Sequence, residues 1–174
     1  MTARHIVLVG LPGAGKSVAG RILATLLGTA FTDLDEVIIR ETGSTIPELF
    51  ARGGEAAFRL LERDAMARAL AAPAHVIAPG GGWAAQPGNL EGAQAGSSPL
   101  VVYLSVSPEV AAARLEEARD RPLLKGDPQH RLGQLLQARE RYYQRAAVEV
   151  ATDAMTPSRV AEAIAVVARQ SGGW

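Results

Sequence analysis

Gly10-Leu11-Pro12-Gly13-Ala14-Gly15-Lys16-Ser17 satisfies G-x-x-x-x-G-K-[ST] at every fixed position. The short apolar run His5 to Val9 precedes it. After it, Val18, Ile22, Leu23, Leu26 and Leu27 recur at helical spacing until Gly28. A strand, a glycine turn and a helix in this order form an anion-binding loop. Glycines let the backbone curl so that successive N–H groups point at phosphate oxygens, and the positive end of the helix adds to them. Lys16 can reach the β- and γ-phosphates, and the Ser17 hydroxyl can ligate Mg²⁺. The expected contacts with ATP are therefore Gly13, Ala14, Gly15, Lys16, Ser17 and Val18. A glycine-rich turn without ligand needs no lysine, and only two of the chain's eighteen basic residues are lysines, Lys16 and Lys125.

Outward from this loop, apolar runs alternate with helical patterns. Ala30 to Leu34, His75 to Ala78, Leu100 to Leu104 and Val148 to Ala151 read as further strands. Helical spacing covers Ile46 to Phe50, Ala56 to Leu70, Pro108 to Leu115, Arg131 to Ala146 and Pro157 to Val167. Strands alternating with helices argue for an α/β fold, a P-loop NTPase-like parallel sheet of about five strands with helices on both faces. No regular structure is expected for Trp83 to Pro99, which is rich in Gly, Ala, Ser and Pro. Glu116 to Pro128 combines a dense run of charges with Pro122, Gly126 and Pro128, and reads as an exposed mobile loop. Neither a linker nor a repeat divides the chain, so residues 1–174 are expected to form one domain.

Eighteen basic residues balance eighteen acidic ones in 174 residues. This disfavours a broad basic surface for nucleic acid and an acidic tail. With 48% apolar and 21% charged residues the chain is an ordinary globular one. The absence of cysteine excludes disulfides, thiolate chemistry and cysteine-held metal. No apolar run is long enough to span a bilayer, and the N-terminal run is too short for a signal peptide. A cytoplasmic protein without membrane partners is the expectation, and a monomer is the simplest state.

A phosphate loop specifies a nucleotide, not an acceptor. Asp33-Leu34-Asp35 closes the second strand, and alternation along a strand would send both carboxylates to the crevice at the sheet's carboxyl edge. One can serve Mg²⁺ and the other substrate hydroxyls. A helix cap is an alternative for Asp35 by itself, but does not explain the pair. Glu55, Arg59 and Glu62 stand at i,i+4 and i,i+3 spacing, as ordinary surface pairs also do. Gly80-Gly81-Gly82 follows a strand directly, which suits either a close ligand approach or a tight turn. Arg121, in the charged loop, is placed to stabilise charge on a transferring phosphoryl group, or merely to be solvated. Arg139 and Tyr143 form an i,i+4 pair that packing explains as readily.

In combination these elements resemble the shikimate kinase family. The resemblance rests on the phosphate loop 10–17, the D-x-D at 33–35, and Gly43-Ser-Thr-Ile46-Pro-Glu48-Leu-Phe50 with Gly54-Glu55-x-x-Phe58-Arg59-x-x-Glu62. It continues through the triplet 80–82, the strand Val101 to Leu104, Arg121-Pro-Leu-Leu124, and Arg139-x-x-x-Tyr143-x-x-x-Ala147, and spans about residues 5 to 168. It implies ATP-dependent phosphorylation of the 3-hydroxyl of shikimate, a step of aromatic amino-acid biosynthesis. By the same resemblance Asp35 binds ring hydroxyls, and Arg59 and Arg139 hold the carboxylate. Gly80, Gly81 and Gly82 line the acceptor pocket over an apolar wall of Phe50 and Phe58. Ser17 and Asp33 serve Mg²⁺, and Arg114 stacks on adenine. Arg121 belongs to a mobile lid at about 116–128, and the acceptor-binding helical region covers about 35–62. Lys16, Asp35 and Arg121 are the implied catalytic residues.

Arginine's planar fork suits a carboxylate better than lysine's point charge, which agrees with these roles. Pro79 and Trp83 flank the triplet where the family pattern leads one to expect smaller residues, and Trp83 is expected at the pocket rim. Two other readings share the phosphate loop: a gluconate-type small-metabolite kinase, and a non-catalytic metabolite-binding module. Neither has a reason to keep Asp35, Arg59, the triplet, Arg139 and the lid arginine together.

Overall fold

A computed structural model describes residues 3–117, 127–171 and 173–174. Strand β1 (Ile6–Val9) has all its residues buried, and β4 (Leu100–Ser105) all but its last. Such runs of Val, Leu and Ile suit strands covered on both faces. Among the described residues they join β2 (Phe31–Asp33), β3 (Val76–Ala78) and β5 (Val148–Ala151) in one parallel sheet of order β2-β3-β1-β4-β5. Between strands run α1 (Lys16–Leu27), α2 (Leu34–Thr42), α3 (Ile46–Ala71), α4 (Asn89–Gly96), α5 (Pro108–Glu117) and α6 (Pro128–Tyr143), with α7 (Pro157–Ser171) last. Helix α7 lies along α1 and buries Val160, Ala161, Ile164, Ala165 and Ala168.

Parallel pairing puts every strand's carboxyl end on one edge. After β3 the chain crosses to the far side of β1, and the phosphate loop leaves β1 at that switch, where open sheets of this kind bind ligands. The triplet 80–82 leaves β3 beside it, and Asp33 ends β2 next in line.

Several expectations need correction. The second strand stops at Asp33, which caps α2 by accepting from the N–H groups of Asp35 and Glu36. Asp35 therefore stands in the first turn of a helix. Strand alternation does not align the two carboxylates; the strand-to-helix turn does. The helical patterns at 46–50 and 56–70 belong to one element, α3, kinked at Gly54 (φ 72°, ψ −179°). A helix, α4, occupies 89–96, where none was expected; it is weakly amphipathic and buries only Leu90 and Ala93. Helix α6 starts at Pro128 because Asp127 caps it and proline suits a first turn. Of the expected lid, residues 118–126, Arg121 included, lie outside the described residues.

Candidate active site

Helices α2, α3 and α6 begin with side-chain caps from Asp33, Thr45 and Asp127. Helix α1 begins at Gly15 with none. Its first N–H groups and its dipole are thereby left to an anion. Gly13 holds the loop in shape: its φ is +84°, and a Cβ there would lie 2.6 Å from the Ala111 carbonyl oxygen. The Lys16 ammonium donates to the carbonyls of Gly10 and Leu11, each at 2.9 Å, and so spans the loop it serves.

This loop forms one wall of a cleft of about 540 Å³. Gly13, Ala14, Gly15, Lys16, Ser17, Val18, Asp33 and Arg114 all line it, as the sequence leads one to expect. The Ser17 hydroxyl donates to Asp33 Oδ2 at 2.5 Å, while Asp33 Oδ1 is taken by the α2 cap. The turn thus fixes two hard oxygen donors side by side, a set that fits Mg²⁺ shared with nucleotide phosphates. Arg114 Nη2 donates to the Thr152 carbonyl (2.7 Å) and Nη1 to the Thr152 hydroxyl (3.0 Å), anchoring its guanidinium plane at the end of β5. Thr152, Met155 and Pro157 also line this end of the cleft and were not singled out in the sequence. Pro157 carries a signal only as a helix start.

A second cavity of about 460 Å³ is lined by Phe50, Phe58, Arg59, Arg139 and Gly82 among others. Pro12, Asp35, Gly80, Gly81 and Leu115 line both cavities, so the two meet along that wall. The rings of Phe50 and Phe58 lie 4.7 Å apart and form the apolar side. Arg59 is not a surface residue. Its Nη1 pairs with Glu62 at 2.6 Å and its Nη2 with Glu55 at 3.1 Å, and Glu62 is 1% exposed. Burial pushes the Glu62 carboxyl above its ordinary range; Arg59 opposes that shift and Asp35 adds to it. Burial would lower the Arg59 pKa, but Glu62 and Glu55 outweigh it and the net shift is upward. In the sequence Glu62 stands in the family motif and as one partner of an ordinary helical pair, with no role of its own. Its companion Phe58, also buried on α3, is the signal that this face turns inward.

A Cβ on Gly82 would lie 2.3 Å from Arg59 Nη2, so the triplet's last glycine makes room for the guanidinium. Trp83 does not narrow the rim; it is buried in the core, 2% exposed. Arg131 and Leu135 line the same cavity from α6. They stand eight and four residues before Arg139, a one-face stripe already visible in the sequence of this helix. The charges that face the site cations include Glu55 and Glu62, so Asp33 and Asp35 are not the only acids there.

A phosphate loop and an arginine-lined cavity that meet at one wall define a P-loop kinase of a small anionic acceptor. The family model for shikimate kinase matches residues 12–169. The shikimate kinase of Streptomyces coelicolor is 43% identical over 94% of this chain and 94% of its own, and that of Thermobifida fusca 44% over 95% of each. The structure of shikimate kinase from Acinetobacter baumannii in complex with shikimate superposes with a TM-score of 0.89 at 35% identity, covering 98% of this chain and 96% of that one. The chain belongs to the shikimate kinase family.

Proposed function

We propose that the two cavities hold ATP and shikimate with the γ-phosphoryl group and the acceptor hydroxyl meeting at the wall they share. The reaction is the ATP-dependent phosphorylation of the shikimate 3-hydroxyl, giving shikimate 3-phosphate and ADP, a step of aromatic amino-acid biosynthesis. One observation carries the division of labour: Asp35, Gly80 and Gly81 belong to both cavities.

The phosphate-loop N–H groups and Lys16 neutralise phosphate charge, and Val18 and Arg114 bound the nucleotide. Ser17 and Asp33 would hold Mg²⁺, which would supply positive charge against the nucleotide phosphates. Arg59 and Arg139 fix the carboxylate, a bidentate match for guanidinium. Phe50 and Phe58 cover one face of the ring. Asp35 accepts hydrogen bonds from ring hydroxyls and aims the acceptor oxygen. Phosphoryl transfer proceeds through a loose transition state that asks mainly for positioning and charge neutralisation. Asp35 accordingly acts first by orientation. Arg121 supplies positive charge to the transferring group from a lid over about 116–128. Residues 35–62 are the acceptor-binding region of a single kinase domain.

The acceptor-side set favours shikimate over the gluconate-type reading and catalysis over mere binding, because Asp35, Arg59 and Arg139 each have a task in holding the acceptor. Among the described residues no helix is long and apolar enough to cross a membrane. We place the enzyme in the cytoplasm as a monomer that acts on small molecules, without nucleic-acid or membrane partners. A coupled ADP-release assay with shikimate against gluconate tests the activity. Release with shikimate alone is expected; no release above background with shikimate overturns the reading.

A further inference from the structure

Tyr143 is fully buried at the end of α6 and lines neither cavity. Its hydroxyl nevertheless donates to the carbonyl of Gly81, across 62 residues of sequence. The ring stacks on Tyr103 of β4, with centroids 5.2 Å apart and planes at 27°, so the phenol is held from behind. Burial pushes the phenol's pKa up, against the lowering effect of the Arg139 guanidinium, which lies one helical turn away and also hydrogen-bonds the phenol. The group is a neutral donor at physiological pH.

The bond has a geometric consequence. In a planar trans peptide the C=O and the following N–H point in opposite directions. Fixing the Gly81 carbonyl toward Tyr143 therefore fixes the Gly82 N–H away from it. Gly82 lines the acceptor cavity and Tyr143 does not. On its other side Gly81 is closely packed on the phosphate loop: a Cβ there would lie 2.9 Å from Pro12 Cδ and 3.2 Å from the Gly10 carbonyl oxygen. One phenol thus locks the peptide that separates the two substrates, and does so from the helix that carries Arg139.

We infer that Tyr143 is a positioning residue for phosphoryl transfer, its hydroxyl orienting the Gly81–Gly82 peptide so that the Gly82 N–H is presented to the acceptor. The inference rests on the acceptor cavity being the shikimate site. A triplet with three glycines has no side chains to hold its own peptide planes, and needs an external anchor for a fixed donor direction. Tyr103 supplies the stacking partner but no bond to the triplet, so the two tyrosines separate packing from positioning.

The test is steady-state kinetics of Tyr143→Phe and Tyr103→Phe against the wild-type enzyme, with thermal melts of all three. Loss of the phenol's hydrogen bonds to Gly81 and Arg139 predicts a rise in shikimate KM of at least about fivefold in Y143F. ATP KM should stay within about twofold, and Y103F should keep both constants. An unchanged shikimate KM in Y143F overturns the inference, whether or not the melting temperature falls. Equal rises in both KM values also overturn it, because they report general loosening. Because Y143F also loses the bond to Arg139, amide exchange at Gly82 reads the peptide directly: shikimate should slow it less in Y143F than in the wild-type enzyme, and equal slowing overturns the inference. Shikimate alone should slow it, and unaltered exchange in a wild-type enzyme that shikimate saturates overturns the inference. If the wild-type enzyme releases no ADP with shikimate, the fault lies with the proposed function, not with Tyr143.

Discussion

From Gly10 to Ser17 the nucleotide wall is one continuous segment, and its binding groups are mostly backbone N–H. The acceptor wall gathers side chains from α2, α3 and α6 around the triplet's backbone, and its polar groups are mostly charged side chains: Asp35, Glu55, Arg59, Arg131 and Arg139. The backbone-built wall imposes little electrostatic stress on the protein. Its lysine rests on two carbonyls, and its helix end faces the cleft. The charge-built wall is part of the fold: Glu62 is inaccessible and depends on Arg59. Function and stability should therefore separate on the first wall and be coupled on the second.

The largest effect is expected at Lys16. Lys16→Ala removes a charge that acts on the transferring group, and should lower kcat by about a thousandfold. The melting temperature of the ligand-free protein should move by no more than a few degrees. A large drop in melting temperature would show that the lysine is a structural strut, and the contrast between the walls would fail.

Arg59→Ala is the counterpart. Loss of a bidentate ionic contact should raise shikimate KM by about a hundredfold. It also leaves a buried carboxylate without its partner, at a cost of about 3 kcal/mol, or roughly 10 °C in a chain of this size. A second change, Glu62→Gln, should recover much of the stability and none of the affinity. If R59A melts like the wild type, the pair is not coupled to the fold.

The unequal legibility of the two walls has the same origin. A motif made of consecutive residues can be read without a structure, and every expected ATP contact within 13–18 lies in the cleft. The acceptor wall depends on which face of α3 and α6 turns inward, and that is settled by packing. Arg59 and Glu62 at i,i+3 look the same on a surface helix as on a buried one; only the burial of Phe58 and Glu62 decides. Asp33 and Asp35 were rightly paired but for the wrong reason. The residue type fits a strand end and a helix cap alike, and the cap won because the α2 N–H groups needed an acceptor. Helix α4 was invisible because short Gly- and Ala-rich helices have little periodicity. Trp83 was misplaced because its size suggested a rim, whereas burial of its ring area favours the core.

Two glycines sharpen the comparison further. Gly13→Ala would force a left-handed φ of +84° on a residue with a Cβ, and set that carbon 2.6 Å from a backbone oxygen. Neither neighbour can yield cheaply, so a rise in ATP KM of roughly tenfold or more is expected. Gly82→Ala meets only the tip of the Arg59 side chain, which can swing. Its shikimate KM should rise less, by a few-fold, because Arg59 is displaced without being lost. Titration of each ligand by calorimetry reads both. If G82A proves the more damaging, side-chain adaptability does not distinguish the walls.

The smallest effect lies beneath both. His5 directly precedes the strand that delivers the phosphate loop, and His75 the one that delivers the triplet. Their rings meet edge to face at 5.0 Å. The His75 N–H donates to His5 Nδ1 (3.4 Å), so that nitrogen must be bare, and Nε2 is left to donate to the Leu70 carbonyl (3.2 Å). Burial, with His75 assisting, lowers the His5 pKa below 6.5. The unfolded chain therefore binds the proton more readily. This contribution to stability is complete above about pH 6.5 and is lost as pH falls through the folded value. Between pH 8 and pH 5 the melting temperature should fall by a few degrees on this account. His5→Asn keeps an acceptor for the His75 N–H and cannot titrate, so its pH slope should be shallower than the wild type's, with the Glu62 contribution cancelling between the two proteins. Identical slopes would remove His5 from the explanation.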